Sequence, residues 1–355
     1  MRKSLFCQMG IAIVLAGLFC GCGTVTPPPP RTVEIDPVQI QIFEPALPDI
    51  IESASNPITE QKVALGRMLY FEPRLSKSHQ ISCNSCHGLD TFGVDGTPTS
   101  DGHKGQLGTR NAPTVYNAAG HFVQFWDGRA PDVEAQAKGP ILNPVEMAMP
   151  SEKYVLTVLN SMPEYVAAFK AAFPGEKDPV SYDNMAKAIG AFERKLVTPA
   201  RWDKFVKGDK SALSPEEKAG FATYMEVGCQ GCHAGTYVGG NTYQRLGMVK
   251  AWPDASDPGR EKVTKNASDQ MVFKVPSLRN IEKSGPYFHN GKIGTLAEAI
   301  QSMGEYQLGK KLSDAQVQSI ITWLRTLTGD VPAEYTKPPV LPKSTSKTPK
   351  PDISD

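Results

Sequence analysis

Two short motifs constrain this chain more than anything else in it: Cys83-Asn84-Ser85-Cys86-His87 and Cys229-Gln230-Gly231-Cys232-His233. A Cys-x-x-Cys-His segment is the attachment signature of a c-type haem: both thiols bond to the porphyrin edge and the adjacent histidine supplies one axial nitrogen. A lone Cys-x-x-Cys reads equally as a zinc knuckle or a redox pair. Two copies, each followed at once by His, point to two covalently bound haem c groups. The other three of the seven cysteines, Cys7, Cys20 and Cys22, fall in the leader, so no pair is left for a disulfide in a mature chain. The 355 residues give length for two domains of roughly 100–200 residues each. A 40% apolar fraction with 30 Pro and 31 Gly suits loop-rich domains whose cores are filled partly by cofactor. A formal net charge of +1 offers no basic field for nucleic acid.

The N-terminus reads as an export signal over residues 1–22. Arg2 and Lys3 give a positive start, and residues 9–19 form an apolar run too short to span a bilayer, which needs about 20 residues. Export suits covalent haem attachment, which bacteria carry out in the periplasm. Phe19-Cys20-Gly21-Cys22 resembles a lipoprotein cleavage site, with Cys22 as the acylated terminus. Phe19 and Cys20 depart from the usual pattern, so a lipid-anchored and a simply cleaved product both stay open. Residues 23–44, with a proline run at 27–30, read as a stiff tether to a body starting near Pro45. The Pro- and Lys-rich residues 331–355 read as a disordered tail.

Between these ends the readable elements are helices, and the expected class is mainly α. Thr59 is positioned to cap a helix with Leu65, Met68 and Leu69 on one face. Met185, Ile189, Phe192 and Leu196 follow helical spacing. Ser214-Pro215-Glu216-Glu217 is a capping box closed by Gly228 just before the second haem motif. Thr295-Leu296-Ala297-Glu298 opens a helix that presents Met303, and Ser313 opens a last one ending before Gly329. What occupies the other axial position of each iron decides function, because it sets the potential and admits or excludes substrate. The candidates are His79, His103, His121, His289 and 11 methionines, and the residues alone do not choose among them.

Seven segments bear on that choice. They are Ser82-Cys83-Asn84-Ser85-Cys86-His87, Gly108-Thr109-Arg110-Asn111-Ala112-Pro113-Thr114, Gln124-Phe125-Trp126-Asp127-Gly128-Arg129-Ala130, Asn143-Pro144-Val145-Glu146-Met147, Phe273-Lys274-Val275-Pro276-Ser277-Leu278-Arg279-Asn280, Gly285-Pro286-Tyr287-Phe288-His289-Asn290-Gly291 and Met303-Gly304-Glu305-Tyr306-Gln307-Leu308-Gly309. In order and spacing, over about residues 45–329, they resemble the bacterial di-haem cytochrome c peroxidases. The resemblance implies two cytochrome c-like domains, each around one haem. Residues 45–200 would be the peroxidatic, low-potential half, and residues 201–330 the electron-transfer, high-potential half. It implies His233 and Met303 as the axial ligands of the second haem, a closed electron store. It implies His87 as proximal ligand of the first haem, with His103 as a distal ligand lost on reductive activation. Glu146 would be the acid–base group for O–O cleavage, Gln136 would orient hydrogen peroxide, and Trp126 would bridge the haems. One calcium ion is implied at the Asn111 side chain and the Ser284 and Pro286 carbonyls, hard oxygen donors of the kind calcium takes.

The implied partners are hydrogen peroxide and a small electron donor, a cytochrome c or a cupredoxin. Relatives are often homodimers, although no dimer surface is legible. Two alternatives compete: a di-haem oxidase acting on a partner protein, which carries Tyr where Met303 stands, and a non-enzymatic carrier, which gives Glu146 and Gln136 no purpose. His79 and His121 stand where relatives carry other residues, and the sequence assigns neither a role.

Overall fold

A computed structural model describes residues 33–353, all within one compact unit; the leader, Cys22 and the proline run lie outside the described residues. Helices form where a cap and an apolar spacing coincide. Thr59 accepts the Lys62 N–H and starts the helix Glu60–Tyr70. Reciprocal capping boxes at Ser214, Thr295 and Ser313 start Pro215–Val227, Leu296–Ser302 and Asp314–Leu324. Gly228, at φ +101°, stops the first of these directly before Cys229. Sheet among the described residues is one antiparallel pair, Tyr243–Arg245 with Val272–Lys274. The chain is mainly α with much loop, as its sequence implies.

Two hydrophobic cores lie within the unit. In the first, Glu60–Tyr70 crosses Tyr182–Glu193 at Gly66, where a Cβ would lie 1.9 Å from the Ala188 carbonyl oxygen. That contact lets Leu65, Leu69, Ile189 and Phe192 become fully buried, each contributing about 1.5–3 kcal/mol of transfer free energy. In the second, Pro215–Val227 lies on Asp314–Leu324, and Gly220 meets the Ser319 carbonyl in the same way. Trp202, Phe221, Tyr224 and Trp323 interlock there with edge-to-face and tilted rings.

Both ends of the described chain differ from expectation. Residues 33–44 are not a free tether. Asp36 caps a short helix, Pro37–Gln41, which buries Ile40 and delivers Phe43 to Trp202, Phe221 and Trp323 of the second core. The tail over residues 331–353 is ordered on the first core, and its Pro- and Lys-rich composition misleads because two carbonyls and a few polar and aromatic side chains do the binding. Arg67 donates to the Lys337 carbonyl (2.8 Å) and Arg74 to the Pro342 carbonyl (2.7 Å). Tyr335 packs edge-on against Phe192, and Thr348, 7% exposed, bonds Ser161. Each end of the folded body thus lies on the core built by the opposite half.

Candidate haem and peroxide site

One continuous cavity of ≈870 Å³ runs between the two cores. Its wall includes Cys83, Cys86 and His87 from the first motif, Cys229, Cys232 and His233 from the second, and Met303, Trp126, Gln136 and Glu146. Asn111, Ser284 and Pro286 also line it. The four described cysteines are free thiols, available for thioether bonds.

Both histidines of the motifs are held alike. His87 Nδ1 lies 3.0 Å from the Pro113 carbonyl oxygen, and His233 Nδ1 lies 3.1 Å from that of Pro276. A carbonyl only accepts, so each Nδ1 carries the proton and each Nε2 keeps the lone pair that a metal takes. Tyr70 Oη donates to the His87 carbonyl (2.7 Å), and Tyr224 Oη donates to that of His233. Burial holds both imidazoles neutral, and pushes His233 down to about 4. A cavity of this size, two paired thiols at each end and two pre-oriented neutral imidazoles fit two c-type haems.

This likeness is part of an internal repeat. Pro113-Thr114-Val115-Tyr116-Asn117 recurs as Pro276-Ser277-Leu278-Arg279-Asn280, and Phe125-Trp126-Asp127-Gly128-Arg129 as Phe288-His289-Asn290-Gly291-Lys292. The separation along the chain is the same for these two pairs of segments, while the two Cys-x-x-Cys-His motifs lie closer together. Asn117 and Asn280 are both left-handed (φ +62° and +59°), and both amides donate to the single Thr198 hydroxyl, at 2.8 and 2.9 Å. Phe125 and Phe288 share φ values of +66° and +68°. Asp132 and Thr295, at the same separation, each cap the helix that follows. The backbone also crosses reciprocally: Asn111 N–H donates to the His289 carbonyl and Lys274 N–H to the Trp126 carbonyl, both at 2.8 Å. Sequence reading missed this repeat because few identities survive, although Pro-x-x-x-Asn and Phe-x-x-Gly carry its signal.

The repeat makes the asymmetry of the cavity informative. In register, Met303 corresponds to Pro140. Met303 opens a π-turn, Met303–Gln307, at the end of its helix, a distortion common at functional positions. Gln307 fastens that turn to the Arg245 carbonyl at 2.9 Å. The first half offers no thioether at the matching point. It has Pro140 inside the helix Val133–Leu142, with Gln136 one turn earlier and Glu146 in the loop beyond. Burial raises the Glu146 carboxyl, against a smaller lowering by Arg129, whose guanidinium lies over the Phe125 ring at 3.4 Å.

His103 is placed differently from the rest. It sits in the tight turn His103–Gly105 and is 5% exposed, yet its ring is not part of the cavity wall. Its N–H donates to the Val145 and Glu146 carbonyls (3.0 and 2.7 Å), and neither ring nitrogen has a hydrogen-bond partner. A Cβ on Gly102 would lie 1.8 Å from the Val145 oxygen, so glycine is required for that approach. Trp126 lies at the seam between the repeats, with Nε1 donating to the Asn111 carbonyl (3.0 Å) and its ring edge-on to His289. The Asn111 amide nitrogen donates to the Thr97 carbonyl (3.0 Å), which leaves Oδ1 as the donor a hard cation takes.

Two Cys-x-x-Cys-His segments on the wall of one cavity, which Met303 and Glu146 also line, match the layout of a di-haem cytochrome c of the peroxidase type. The chain belongs to the di-haem cytochrome c peroxidase family, whose family model, described as di-haem cytochrome c peroxidase, matches residues 60–211. It is 48% identical to the cytochrome c551 peroxidase of Pseudomonas aeruginosa over 317 residues, 87% of this chain and 90% of that protein. It is 47% identical to the cytochrome c551 peroxidase of Nitrosomonas europaea over 300 residues, covering 84% and 88% of the two chains. Among solved structures, a MauG-like protein associated with microbial copper homeostasis superposes with a TM-score of 0.74 at 26% identity, over 84% of this chain and 98% of that one. The chain is therefore an enzyme of the cytochrome-c peroxidase class. Among the described residues no helix is long and apolar enough to cross a membrane.

Proposed function

We propose that this chain is a periplasmic peroxidase that reduces hydrogen peroxide to two waters with two electrons and two protons. The electrons come from a small redox protein, a cytochrome c or a cupredoxin, and enter at the His233/Met303 haem. The observation that carries this reading is the unequal furnishing of one cavity, with Met303 at one haem cradle and Glu146 with Gln136 at the other. Each bound haem supplies an iron that passes single electrons, and the one in the first half also binds peroxide. Met303 and His233 would hold the second haem, where a thioether would favour the reduced state and exclude substrate. Pro140 offers no donor group, so Gln136 and Glu146 would be the polar residues that meet peroxide at the first haem. Gln136 orients peroxide by hydrogen bonding. The Glu146 carboxylate takes the proton from the near oxygen and returns it to the far one as the O–O bond breaks. A carboxyl raised by burial suits both transfers. Trp126, between the repeats, shortens the path from the second half to the first. Residues 45–200 and 201–330 act as the peroxidatic and electron-transfer halves, each completed by a chain end from outside its own range.

In this reading His103 would be a second histidine holding the first haem and would be released on reduction. Its buried, unpartnered ring nitrogens support a group that takes a partner in another state of the enzyme, and Gly102 and Gly105 give its loop two adaptable joints. Such a loop is a two-state element whose balance a ligand bond biases. A calcium ion at Asn111, Ser284 and Pro286 would tie the two repeats together. Peroxide consumption with a reduced c-type cytochrome, with and without pre-reduction, tests the proposal. Wild type should require pre-reduction and His103→Gly should not. Equal dependence in the variant removes the switch, and no peroxide consumption in either state removes the peroxidase reading. Met303 disfavours an oxidase acting on a partner protein, since those enzymes carry Tyr there.

A further inference from the structure

The repeat register sets two groups of residues side by side. Asn111, Ser284 and Pro286, the proposed calcium donors, correspond to Lys274, His121 and Val123. The corresponding three meet in the fold: Lys274 Nζ lies 3.2 Å from the Val123 carbonyl oxygen and 3.3 Å from His121 Nδ1. The Lys274 ammonium thus stands where the other half of the pseudo-symmetric pair would hold a metal cation.

That ammonium is under-satisfied. Lys274 is 6% exposed, and no carboxylate forms an ion pair with it among the described residues. Burying an unpaired ammonium is costly, and such groups are normally paired. Two neutral acceptors leave one of its three N–H bonds unused. His121 adds a second unused donor: its Nδ1 accepts from Lys274, so the proton is on Nε2, which is buried and has no partner. Both residues line the haem cavity, and Gly240 lets the imidazole lie flush, since a Cβ there would be 2.6 Å from His121 Cδ2. One positive charge and two spare donors on a haem-cavity wall suit a carboxylate, and the haem edge carries two propionates.

We infer that Lys274 is a tethered cation which, with His121 Nε2–H, binds a haem propionate at the seam between the repeats. The inference rests on the two-haem reading above. Burial lowers Lys274 to about 8, and an anion in contact would hold it charged. A positive charge beside a haem favours the state with the extra electron, so losing it lowers that haem's potential. The residue positions and tunes the cofactor without touching peroxide.

The test is a spectroscopic redox titration of holoprotein carrying Lys274→Met, Lys274→Arg or His121→Phe, with resonance Raman of the propionate-bending region. Lys274→Met should shift the reduction equilibrium of at least one haem about tenfold toward the oxidised form, ~59 mV for one electron, and move a propionate band. Lys274→Arg should restore most of the potential shift, and His121→Phe should move the band with a smaller change in potential. Unmoved potentials and bands in a Lys274→Met protein with both haems attached overturn the inference, and so does a change that Lys274→Arg reproduces in full. Fewer than two haems in wild type, counted as pyridine haemochromes, would instead defeat the underlying two-haem reading.

Discussion

Half-buried Glu146 and buried Glu193 both lie on the wall of the cavity, but they answer to different surroundings. Glu146 has Arg129 and the Asn143 side chain moderating the effect of burial. Replacing it with Gln keeps shape and hydrogen bonding but removes proton transfer. Turnover should fall by about 10²–10⁴-fold with both haem spectra nearly unchanged, as stopped-flow absorbance would record. Glu193, 5% exposed and facing Glu134, is pushed up to about 8 from an ordinary 4.5, mainly by burial. Between those values the folded state holds a proton that the unfolded state has released. Stability should therefore fall as pH rises from 4.5 through 8. Urea unfolding of the holoprotein at pH 5 and pH 8 should show that loss, and Glu193→Gln should flatten it.

At the scale of elements, a pair of corresponding helices carries the division of labour. Val133–Leu142 and Leu296–Ser302 are capped at matching positions, but one bears Pro140 where the other runs into Met303. If Met303 ligates the second haem as proposed, a thioether placed at 140 would confront the first in the same way. Pro140→Met should give two low-spin haems after partial reduction and background peroxide turnover. A high-spin signal persisting in that variant would show that the correspondence does not extend to ligation. The capping boxes and the Gly228 stop were legible because capping is local chemistry, satisfied within four residues. The crossing of Glu60–Tyr70 on Tyr182–Glu193 was not legible, because Gly66 states only that a backbone comes close and not which one.

For the whole molecule, the chain ends act as clamps. Phe43 completes the second core, while residues 331–353 strap the first through Arg67, Arg74 and Ser161. The Arg74 guanidinium itself is held at 2.6 Å by Glu72, which is wholly buried and also receives the Tyr165 hydroxyl. Five side-chain hydrogen bonds at about 0.5–1.5 kcal/mol each predict that deleting residues 331–355 costs roughly 2.5–7.5 kcal/mol. The urea midpoint of the holoprotein should fall accordingly, and an unchanged midpoint would mean the strap is incidental. Proline and lysine content suggested disorder here because composition reports side chains. The strap is held by two of its carbonyls and by the few side chains of Tyr335, Ser344, Thr345 and Thr348, a minority that composition does not weigh.

The sequence by itself determined the two Cys-x-x-Cys-His motifs, the helical class and the set of chemistry-bearing residues, because such motifs and caps need fixed spacings of particular side chains. It also carried the family resemblance, which singled out Met303 and Glu146. Tertiary structure decided how these come together: one shared cavity, Lys274 beside His121, and His103 buried outside the lining of that cavity. Those relations join residues far apart in the chain through backbone carbonyls and a worn repeat, and neither leaves a side-chain pattern that can be read along the sequence.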